Sequence, residues 1–254
     1  MSISRSELLA YLNNILQPGK IKDYCPNGLQ VEGKAEISKI ITGVTASQAL
    51  IDKAIESKAD AILVHHGYFW KGENECITGI KQQRIKALLQ NDINLIAYHL
   101  PLDNHETLGN NAQLAKVLGL TIDSSLDPDN PSVPGMLGRL PRAMTARAFC
   151  AWLGECLQRE PLHLGPDPDQ MIETIGWCTG GAQGYMQYAI DAGVDAYLTG
   201  EVSEPSHHLA METGTHFFAA GHHATERYGT KALGEHLHEE FGLAVEFVDI
   251  PNPV

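Results

Sequence analysis

Residues 61–67 read Ala-Ile-Leu-Val-His-His-Gly, an apolar run that ends in two histidines and a glycine. The apolar run predicts a buried strand, and successive residues of a strand point to opposite faces. His65 and His66 can therefore converge on one site only where the strand ends, and Gly67 allows the backbone to turn there. Histidine is the commonest metal ligand but also a frequent cap of loop backbone groups. The pair alone indicates either a metal site or a structural cap.

Two more predicted strands end in similar groups. One leads to His99, with Asp103 four residues later, and the other leads to His222, with Glu226 four residues later. A spacing of four places both side chains on one face of a helix, which suits His222 and Glu226 if a helix begins there. Pro101 disfavours a regular helix over the other pair. We therefore predict a turn between His99 and Asp103.

The chain also repeats itself in a degenerate way. Residues 41–64 and residues 175–199 each contain a strand, a turn, a helical stretch and a second strand. When the two segments are aligned further along the chain, His99 corresponds to His222 and Asp103 to Glu226, with the same difference in residue number. The histidine pair does not recur, because Gly200 and Glu201 stand opposite it. We interpret the pattern as a duplication.

The alternation of strands and helices predicts an α/β architecture made of two related halves, each with a mixed sheet. We expect a first half over about residues 1–126, which carries the histidine pair and Asp103, and a second over about residues 127–254, which carries His222 and Glu226. The boundary is approximate, and interleaved halves are the alternative. The Asp- and Pro-rich stretch 127–135 is the predicted linker, and the metal site is expected in the cleft between the halves. Helices are predicted at about 47–57, 81–90, 110–118, 145–157 and 228–241.

Composition excludes several classes of protein. The formal net charge of -13 disfavours nucleic-acid binding, because phosphate contacts need clustered Lys and Arg. No stretch approaches the roughly 18 apolar residues of a membrane span, and the amphipathic pattern over residues 5–16 differs from a secretory leader. We expect a cytoplasmic protein without membrane association. The five cysteines form no CxxC pair, which indicates neither a thiolate zinc site nor a disulfide framework.

The candidate ligands have a common chemistry. They provide imidazole and carboxylate groups and no thiolate. The five residues are His65, His66, Asp103, His222 and Glu226. Five ligands exceed the usual three of an open catalytic zinc but suit two divalent ions bridged by a carboxylate, an arrangement that activates water in many hydrolases. Zn, Mn, Fe and Ni all accept such ligands.

Two further residues are candidates for catalysis. His99 is interpreted as a proton shuttle or as a group that orients a ligand, with a structural histidine as the competing interpretation. Glu201, opposite His66 in the repeat, could face the same cleft, and an ordinary surface carboxylate is its alternative.

Together these motifs resemble a known family. Asn27-Gly28-Leu29-Gln30-Val31, the His65-His66-Gly67 turn, residues 99–103, Thr199-Gly200-Glu201 and residues 221–226 look like the Nif-three-like family, whose members are often called GTP cyclohydrolase I type 2 homologues. The resemblance spans essentially the whole chain and suits the family's short bacterial branch. It implies a dinuclear metal site at the five positions named above, in two related α/β halves that assemble into a toroidal homohexamer.

The sequence leaves three functions open. The first is a metal-dependent hydrolase that acts on GTP, another nucleotide or a related small molecule. The second is a metal-handling or chaperone-like protein, whose exchangeable ions are the function itself. The third is an interaction scaffold in which the metals are structural. An open ligand shell favours the first function and a closed shell the third.

Overall fold

The computed structural model describes residues 1–130 and 132–254. These residues fold into two compact units: the first unit is Met1–Gly109 with Gly229–Pro251, and the second unit is Asn110–Tyr228 with Asn252–Val254. The units interleave along the chain, because residues 229–251 belong to the first unit although they follow most of the second unit in sequence. Their bounds are therefore drawn differently from the linear halves 1–126 and 127–254.

The first unit alternates strands and helices. Its elements are β1 (Ile3–Ser4), α1 (Arg5–Leu16), β2 (Gly28–Val31), β3 (Glu36–Ile37), β4 (Lys39–Thr45), α2 (Gln48–Glu56), β5 (Ala61–His66), α3 (Gly79–Gln90), β6 (Asn94–Ala97), α4 (Leu100–Asp103) and, near the C-terminus, β13 (Ala244–Phe247). Its described strands form a mixed sheet in the order β13-β4-β5-β6-β2, and β1 pairs with β3. Only β2 runs antiparallel to its neighbour within the described part of this larger sheet.

The apolar run of β5 is explained by burial on both faces of the sheet. Ile62 and Val64 pack in one cluster with the buried face of α2, which includes Leu50. Ala61 and Leu63 point the other way and pack in a second cluster with α1. Because β5 lies between β4 and β6, its carboxyl end is central, which is where open α/β sheets place their ligand sites.

The second unit has a similar parallel centre. Its elements are α5 (Asn110–Leu118), β7 (Thr121–Ser125), β8 (Met136–Thr145), α6 (Ala146–Leu157), β9 (Leu162–Leu164), β10 (Met171–Trp177), α7 (Met186–Asp191), β11 (Ala196–Thr199), α8 (Glu204–Thr213) and β12 (His216–Ala219). The described strands follow the order β7-β8-β10-β11-β12-β9. β10, β11 and β12 are parallel, whereas β8 and β9 join them in antiparallel fashion.

The stretch predicted as a linker connects β7 to β8. These strands pair antiparallel, and the Leu126 amide donates to the Gly135 carbonyl at 2.9 Å, so the described part of 127–135 is a hairpin connection inside the second unit. Pro131, which belongs to the predicted linker, lies outside the described residues. The mixed sheets of both units confirm the predicted α/β class.

Two local predictions need correction. Residues Leu100–Asp103 form one helical turn, α4, with Pro101 in its first turn. A proline is tolerated there because the first amides of a helix have no intrahelical acceptor. The long helix α9 spans His222–Phe241, so it begins at the histidine itself rather than near Tyr228.

Other helix boundaries follow from side-chain caps. Ser47 Oγ accepts from the Leu50 amide at 3.3 Å at the start of α2, and Thr145 Oγ1 accepts from the Ala148 amide at 3.2 Å at the start of α6. Such caps satisfy amides that would otherwise lack a partner. Among the described residues, no helix combines the length and apolar character needed to cross a membrane.

Candidate metal centre

The carboxyl end of β5 fixes two imidazoles. His65 is fully buried, and its Nδ1 donates to the backbone carbonyl of Tyr98 at 3.0 Å. His66 pairs in register with Thr45 of β4, and its Nδ1 lies 3.2 Å from Thr45 Oγ1. The two rings are 4.6 Å apart between centroids. The strand end therefore brings both histidines to one place, as the sequence predicts.

The turn after β6 adds His99 and Asp103 to this cluster. The His99 ring lies 4.9 Å from the His65 ring and 5.7 Å from the His66 ring, measured between centroids. One oxygen of Asp103 lies 3.5 Å from His65 Nε2. Asp103 is 5% exposed, so its carboxylate is largely shielded from water. Helix α4 brings this carboxylate to the His65 side of the cluster.

Asp23, which no sequence pattern singles out, holds His99 in place. Its Oδ1 accepts from His99 Nδ1 at 2.9 Å, and its Oδ2 accepts from the Leu100 amide at 3.0 Å and from Asn27 Nδ2 at 2.9 Å. Burial by itself would raise the pKa of Asp23, but the hydrogen bonds from His99 and Asn27 outweigh it and lower the pKa. Asp23 is therefore a carboxylate anchored by several donors.

The first turn of α9 carries the candidate ligands of the second unit. Residues His222 and Glu226 lie one turn apart, with His222 Nε2 at 3.0 Å from Glu226 Oε2. The other ring nitrogen, Nδ1, donates to Glu201 Oε1 at 2.6 Å. Glu226 is 3% exposed. The helix spacing thus produces the His–carboxylate pair that the sequence predicts, and Glu201 contacts the same imidazole.

The surroundings of this pair favour a cation. Burial lowers the pKa of His222, but Glu226 and Glu201 outweigh it and raise the pKa to about 9. Gly180 lies against the pair with φ at +71°, and a Cβ at this position would collide with Glu226 Oε1. Gly180 thus allows the backbone to approach the carboxylate closely.

The four imidazoles are oriented in the same way, by an oxygen atom that contacts Nδ1. Nδ1 of His65, His99 and His222 donates to a fixed oxygen, and Nδ1 of His66 lies beside the Thr45 hydroxyl. A histidine that binds a metal through one ring nitrogen usually gives the other to such a partner. The donors present, imidazole nitrogens beside nearly buried carboxylates, therefore fit divalent transition ions. His65, His66 and His99 are near enough to one another to hold an ion.

The predicted site residues fall into two groups. The first unit brings together His65, His66, His99 and Asp103, and the second unit brings together His222, Glu226 and Glu201. The sharing of one dinuclear centre by the five predicted ligands stays a prediction. Asp23 and Thr45 were missed because an oxygen that orients a histidine follows no fixed sequence spacing.

Comparison with known proteins identifies the family of this chain. The family model of Duf34/NIF3 (NGG1p interacting factor 3) matches residues 3–253. A Vibrio cholerae protein named GTP cyclohydrolase 1 type 2 homolog is 57% identical over 249 residues, which cover 98% of each chain. A Pseudomonas aeruginosa protein of the same name is 55% identical over 253 residues and 100% of both chains. The chain belongs to the DUF34/NIF3 family.

Solved structures show the same fold. The structure of protein ybgI, described as of unknown function, is similar with a TM-score of 0.95 and 50% identity, over 99% of this chain and 100% of the other. A crystal structure of a Thermus thermophilus protein has a TM-score of 0.88 and 36% identity, with the same coverage of both chains. The predicted family resemblance is therefore confirmed.

Proposed function

We propose that the protein binds two divalent ions and acts as a metal-dependent hydrolase on a nucleotide or a related small molecule. The proposed ligands are His65, His66, Asp103, His222 and Glu226. The observation that carries the proposal is the orientation of the imidazoles. Their Nδ1 atoms are held by oxygens, and the Nε2 atoms of His65 and His222 face the carboxylates of Asp103 and Glu226.

Residues around the proposed ligands have specific roles in this mechanism. Divalent ions held by these ligands would lower the pKa of a bound water and polarise a substrate oxygen. Asp23 keeps a proton on Nδ1 of His99, so that Nε2 of this ring can accept or donate a proton during turnover. Glu201 fixes His222 in the same way. The burial of Asp103 and Glu226 limits the access of bulk water to the ligand carboxylates.

The substrate class is supported by the relatives. Two of them, from Vibrio cholerae and Pseudomonas aeruginosa, carry a name that refers to GTP cyclohydrolase. Hydrolytic opening of a purine ring requires activated water near a ring carbon, which is a reaction suited to a dinuclear hydrolase. The phosphates of a purine nucleotide are repelled by an acidic protein of net charge -13. Cations bound at the metal centre would attract these phosphates and so offset the repulsion.

The experiment combines metal analysis with turnover. Chelator-treated protein is reloaded with zinc, manganese, iron or nickel, its metal content is measured, and each form is assayed on a nucleotide panel that includes GTP. We expect about two ions per chain and turnover that depends on them. The matched variants are His99→Gln, which should reduce turnover while keeping the metals, and Glu204→Gln, an exposed carboxylate on α8 that should change neither.

Two results would contradict the proposal in different ways. If the protein takes up no divalent ion, the whole metal centre is wrong. If it holds two ions per chain and no nucleotide is converted with any metal, the hydrolase assignment fails and a metal-handling function replaces it. We further propose that the protein is cytoplasmic, as expected from its sequence, and, from the family resemblance, that it assembles into a homohexamer.

A further inference from the structure

A second group of metal-binding side chains lies in the first unit. Asp23, Cys25 and His99 each offer a ligand atom, and these atoms lie within 4.8 Å of one another. Cys25 is not among the proposed ligands of the dinuclear centre, and no sequence pattern indicates a thiolate site. The group is composed of one sulfur, one nitrogen and one oxygen donor. We propose that Asp23, Cys25 and His99 form a separate metal-acquisition site, which takes up an ion and passes it to His65 and His66.

One of the two distances known between the donors already suits a tetrahedral ion, and the other requires a small adjustment. The Cys25 sulfur lies 3.7 Å from Asp23 Oδ1, and the same oxygen lies 2.9 Å from His99 Nδ1. Around a tetrahedral zinc, sulfur and oxygen ligands stand about 3.6 Å apart and nitrogen and oxygen ligands about 3.4 Å apart, from the usual bond lengths. The sulfur–oxygen distance already matches, and the nitrogen–oxygen distance has to open by roughly half an ångström.

The group is anchored by the backbone around it. Asp23 accepts hydrogen bonds from the amides of Tyr24 and Leu100 and from the Asn27 side chain. Asn27 in turn accepts from the His99 amide at 2.7 Å. These contacts fix the carboxylate and the imidazole relative to each other. An ion that binds here therefore orders little besides the Cys25 side chain, which reduces the entropic cost of binding.

Burial and two carboxylates act on the Cys25 thiol. Burial and then the charge of Asp23 raise the pKa of Cys25 to about 12, with a smaller contribution from Asp103. A thiol in this environment keeps its proton until a cation arrives. The same carboxylate charges attract a divalent ion, whose binding deprotonates a coordinating thiol. Binding releases the Cys25 proton to solvent, and His99 keeps its single ring proton by moving it from Nδ1 to Nε2, which leaves Nδ1 available to the ion.

The donor set selects the ion. A mixed sulfur, nitrogen and oxygen site favours zinc, cobalt or iron over magnesium and calcium, which prefer oxygen ligands alone. The three protein ligands leave one tetrahedral position open for water, as in catalytic rather than closed structural zinc sites. Cys25 is partly exposed, and the neighbouring Tyr24 is 52% exposed. The sulfur can therefore meet an ion that arrives from solvent.

His99 connects this group with the candidate centre. Its Nδ1 faces Asp23, while its ring packs at 4.9 Å from the ring of His65 and 5.7 Å from that of His66. An ion held beside His99 is thus one imidazole away from the two histidines at the end of β5. The binding step stands on the three side chains alone, whereas the transfer step rests on the proposed function.

The absorption spectrum of bound Co²⁺ shows directly whether a thiolate is a ligand. Thiolate ligands give Co²⁺ an intense near-ultraviolet charge-transfer band, and the five proposed ligands of the dinuclear centre include no thiolate. Chelator-stripped full-length protein is titrated anaerobically with Co²⁺ to excess. We expect the band in the wild type and its loss in Cys25→Ser. Cys76→Ser, which alters an exposed cysteine of the same unit, is the matched control and should keep the band.

The transfer step has its own measurement. The rate at which stripped protein acquires its first two cobalt ions is followed through the visible bands of the imidazole and carboxylate sites. We expect uptake to be about tenfold slower in Cys25→Ser, and unchanged in Cys76→Ser, in line with the tenfold or larger effects of groups that support a metal site. Final occupancy at the dinuclear centre should be equal in all three proteins.

The outcomes separate the two proposals. Absence of the charge-transfer band at saturating Co²⁺, or a band that survives Cys25→Ser, overturns the acquisition site while leaving the dinuclear centre intact. A Cys25-dependent band without any further cobalt uptake supports the acquisition site and overturns the dinuclear centre. Equal uptake rates in wild type and Cys25→Ser overturn the transfer role. Thermal unfolding of Cys25→Ser checks that the variant is folded.

Discussion

The two ring nitrogens of His222 contact different carboxylates. Nδ1 donates to Glu201 at 2.6 Å, and Nε2 lies 3.0 Å from Glu226. Glu226 is nearly buried, whereas the Glu201 side chain is 37% exposed. The difference in burial suggests a division of work in which Glu226 binds an ion and Glu201 orients the imidazole. A partner of this kind keeps the ring in the tautomer that leaves Nε2 available.

Glu201→Gln should therefore weaken metal binding without unfolding the protein. The amide retains the size of the side chain but removes the charge that holds the Nδ1 proton. We expect the affinity for the more weakly bound ion to fall by about 10- to 100-fold, measured by competition with a chromophoric chelator. Glu204→Gln, at an exposed position on α8, is the matched control. Unchanged affinity in Glu201→Gln would mean that Glu201 is an ordinary surface carboxylate.

Replacement of Glu226 should have a wider effect than replacement of one histidine. We propose that Glu226 bridges both ions, since a carboxylate has two oxygens whereas each imidazole supplies one ligand. Glu226→Gln should lower occupancy at both positions, and His65→Ala should lower it mainly at one. Elemental analysis of the purified variants gives the ratio of ions to chains. If Glu226→Gln keeps both ions at wild-type affinity, Asp103 becomes the better candidate for the bridge.

At the scale of elements, the same aspartate–amide contact occurs in both units. Asp60 precedes β5 and accepts from the amides of Ser38 and Lys39 at 2.9 and 3.0 Å. Asp195 precedes β11 and accepts from the amides of Glu173 and Thr174, both at 2.9 Å. In each unit the aspartate ties the start of one parallel strand to the neighbouring strand. This equivalence is what the proposed duplication would produce.

The Asp60 contacts make stability depend on pH. Burial opposes ionisation, but hydrogen bonds from Lys34 and Ser38 outweigh it and lower the pKa of Asp60 from 3.8 to about 2. A carboxyl whose pKa is lowered on folding stabilises the protein above its unfolded pKa, and this stabilisation is lost as pH falls through the folded pKa. The stabilising effect of Asp60 should thus be complete above about pH 5 and roughly halved near pH 3.

Asp60→Asn tests this dependence. We expect the variant to lose about 1–3 kcal/mol of unfolding free energy at neutral pH, as for other hydrogen bonds to charged groups. The difference from wild type should shrink as pH falls from about 5 towards 3, which urea titrations at several pH values would measure. Asp52→Asn on the exposed face of α2 is the control. A difference that stays constant with pH would show that the carboxylate charge is not responsible.

The elements were easier to predict than the contacts of the site. The helices predicted from about residues 47 and 145 begin there, as α2 and α6, because the hydroxyls of Ser47 and Thr145 satisfy the first amides of each helix. The His65-His66 pair was predictable because a buried strand that ends in polar groups presents them together. Nothing in the sequence indicates that Asp23 reaches His99, since this contact depends on how the loop before β2 folds back on α4.

The sequence left open that the two halves interleave, but it did not show where the chain passes from one unit to the other. A linear boundary was expected near the Asp- and Pro-rich stretch, yet β7 and β8 on either side of it pair with each other. Turn-forming residues mark a change of chain direction equally well between domains and within a hairpin. Only strand pairing distinguishes the two cases, and pairing partners are not encoded in local composition.

At the scale of the whole molecule, the net charge of -13 per chain bears on assembly. Like-charged copies repel one another at long range, so a stable homo-oligomer requires contacts that outweigh this repulsion. Large apolar side chains are available for such contacts, among them Trp152, at 39% exposed, and Met171, at 55% exposed. An apolar interface would resist salt, because screening weakens repulsion between the copies without weakening hydrophobic contact.

We therefore predict that the protein is oligomeric and that association persists at high salt. Light scattering should report a mass several times the 27.7 kDa of one chain, with six chains expected from the family resemblance. Raising the salt concentration from about 0.1 M to 1 M reduces the Debye length from about 10 Å to about 3 Å, so the repulsion decreases and the assembly should remain intact or become tighter. Dissociation on adding salt would indicate an interface held by ion pairs, and a strict monomer at micromolar concentration would contradict the proposed hexamer.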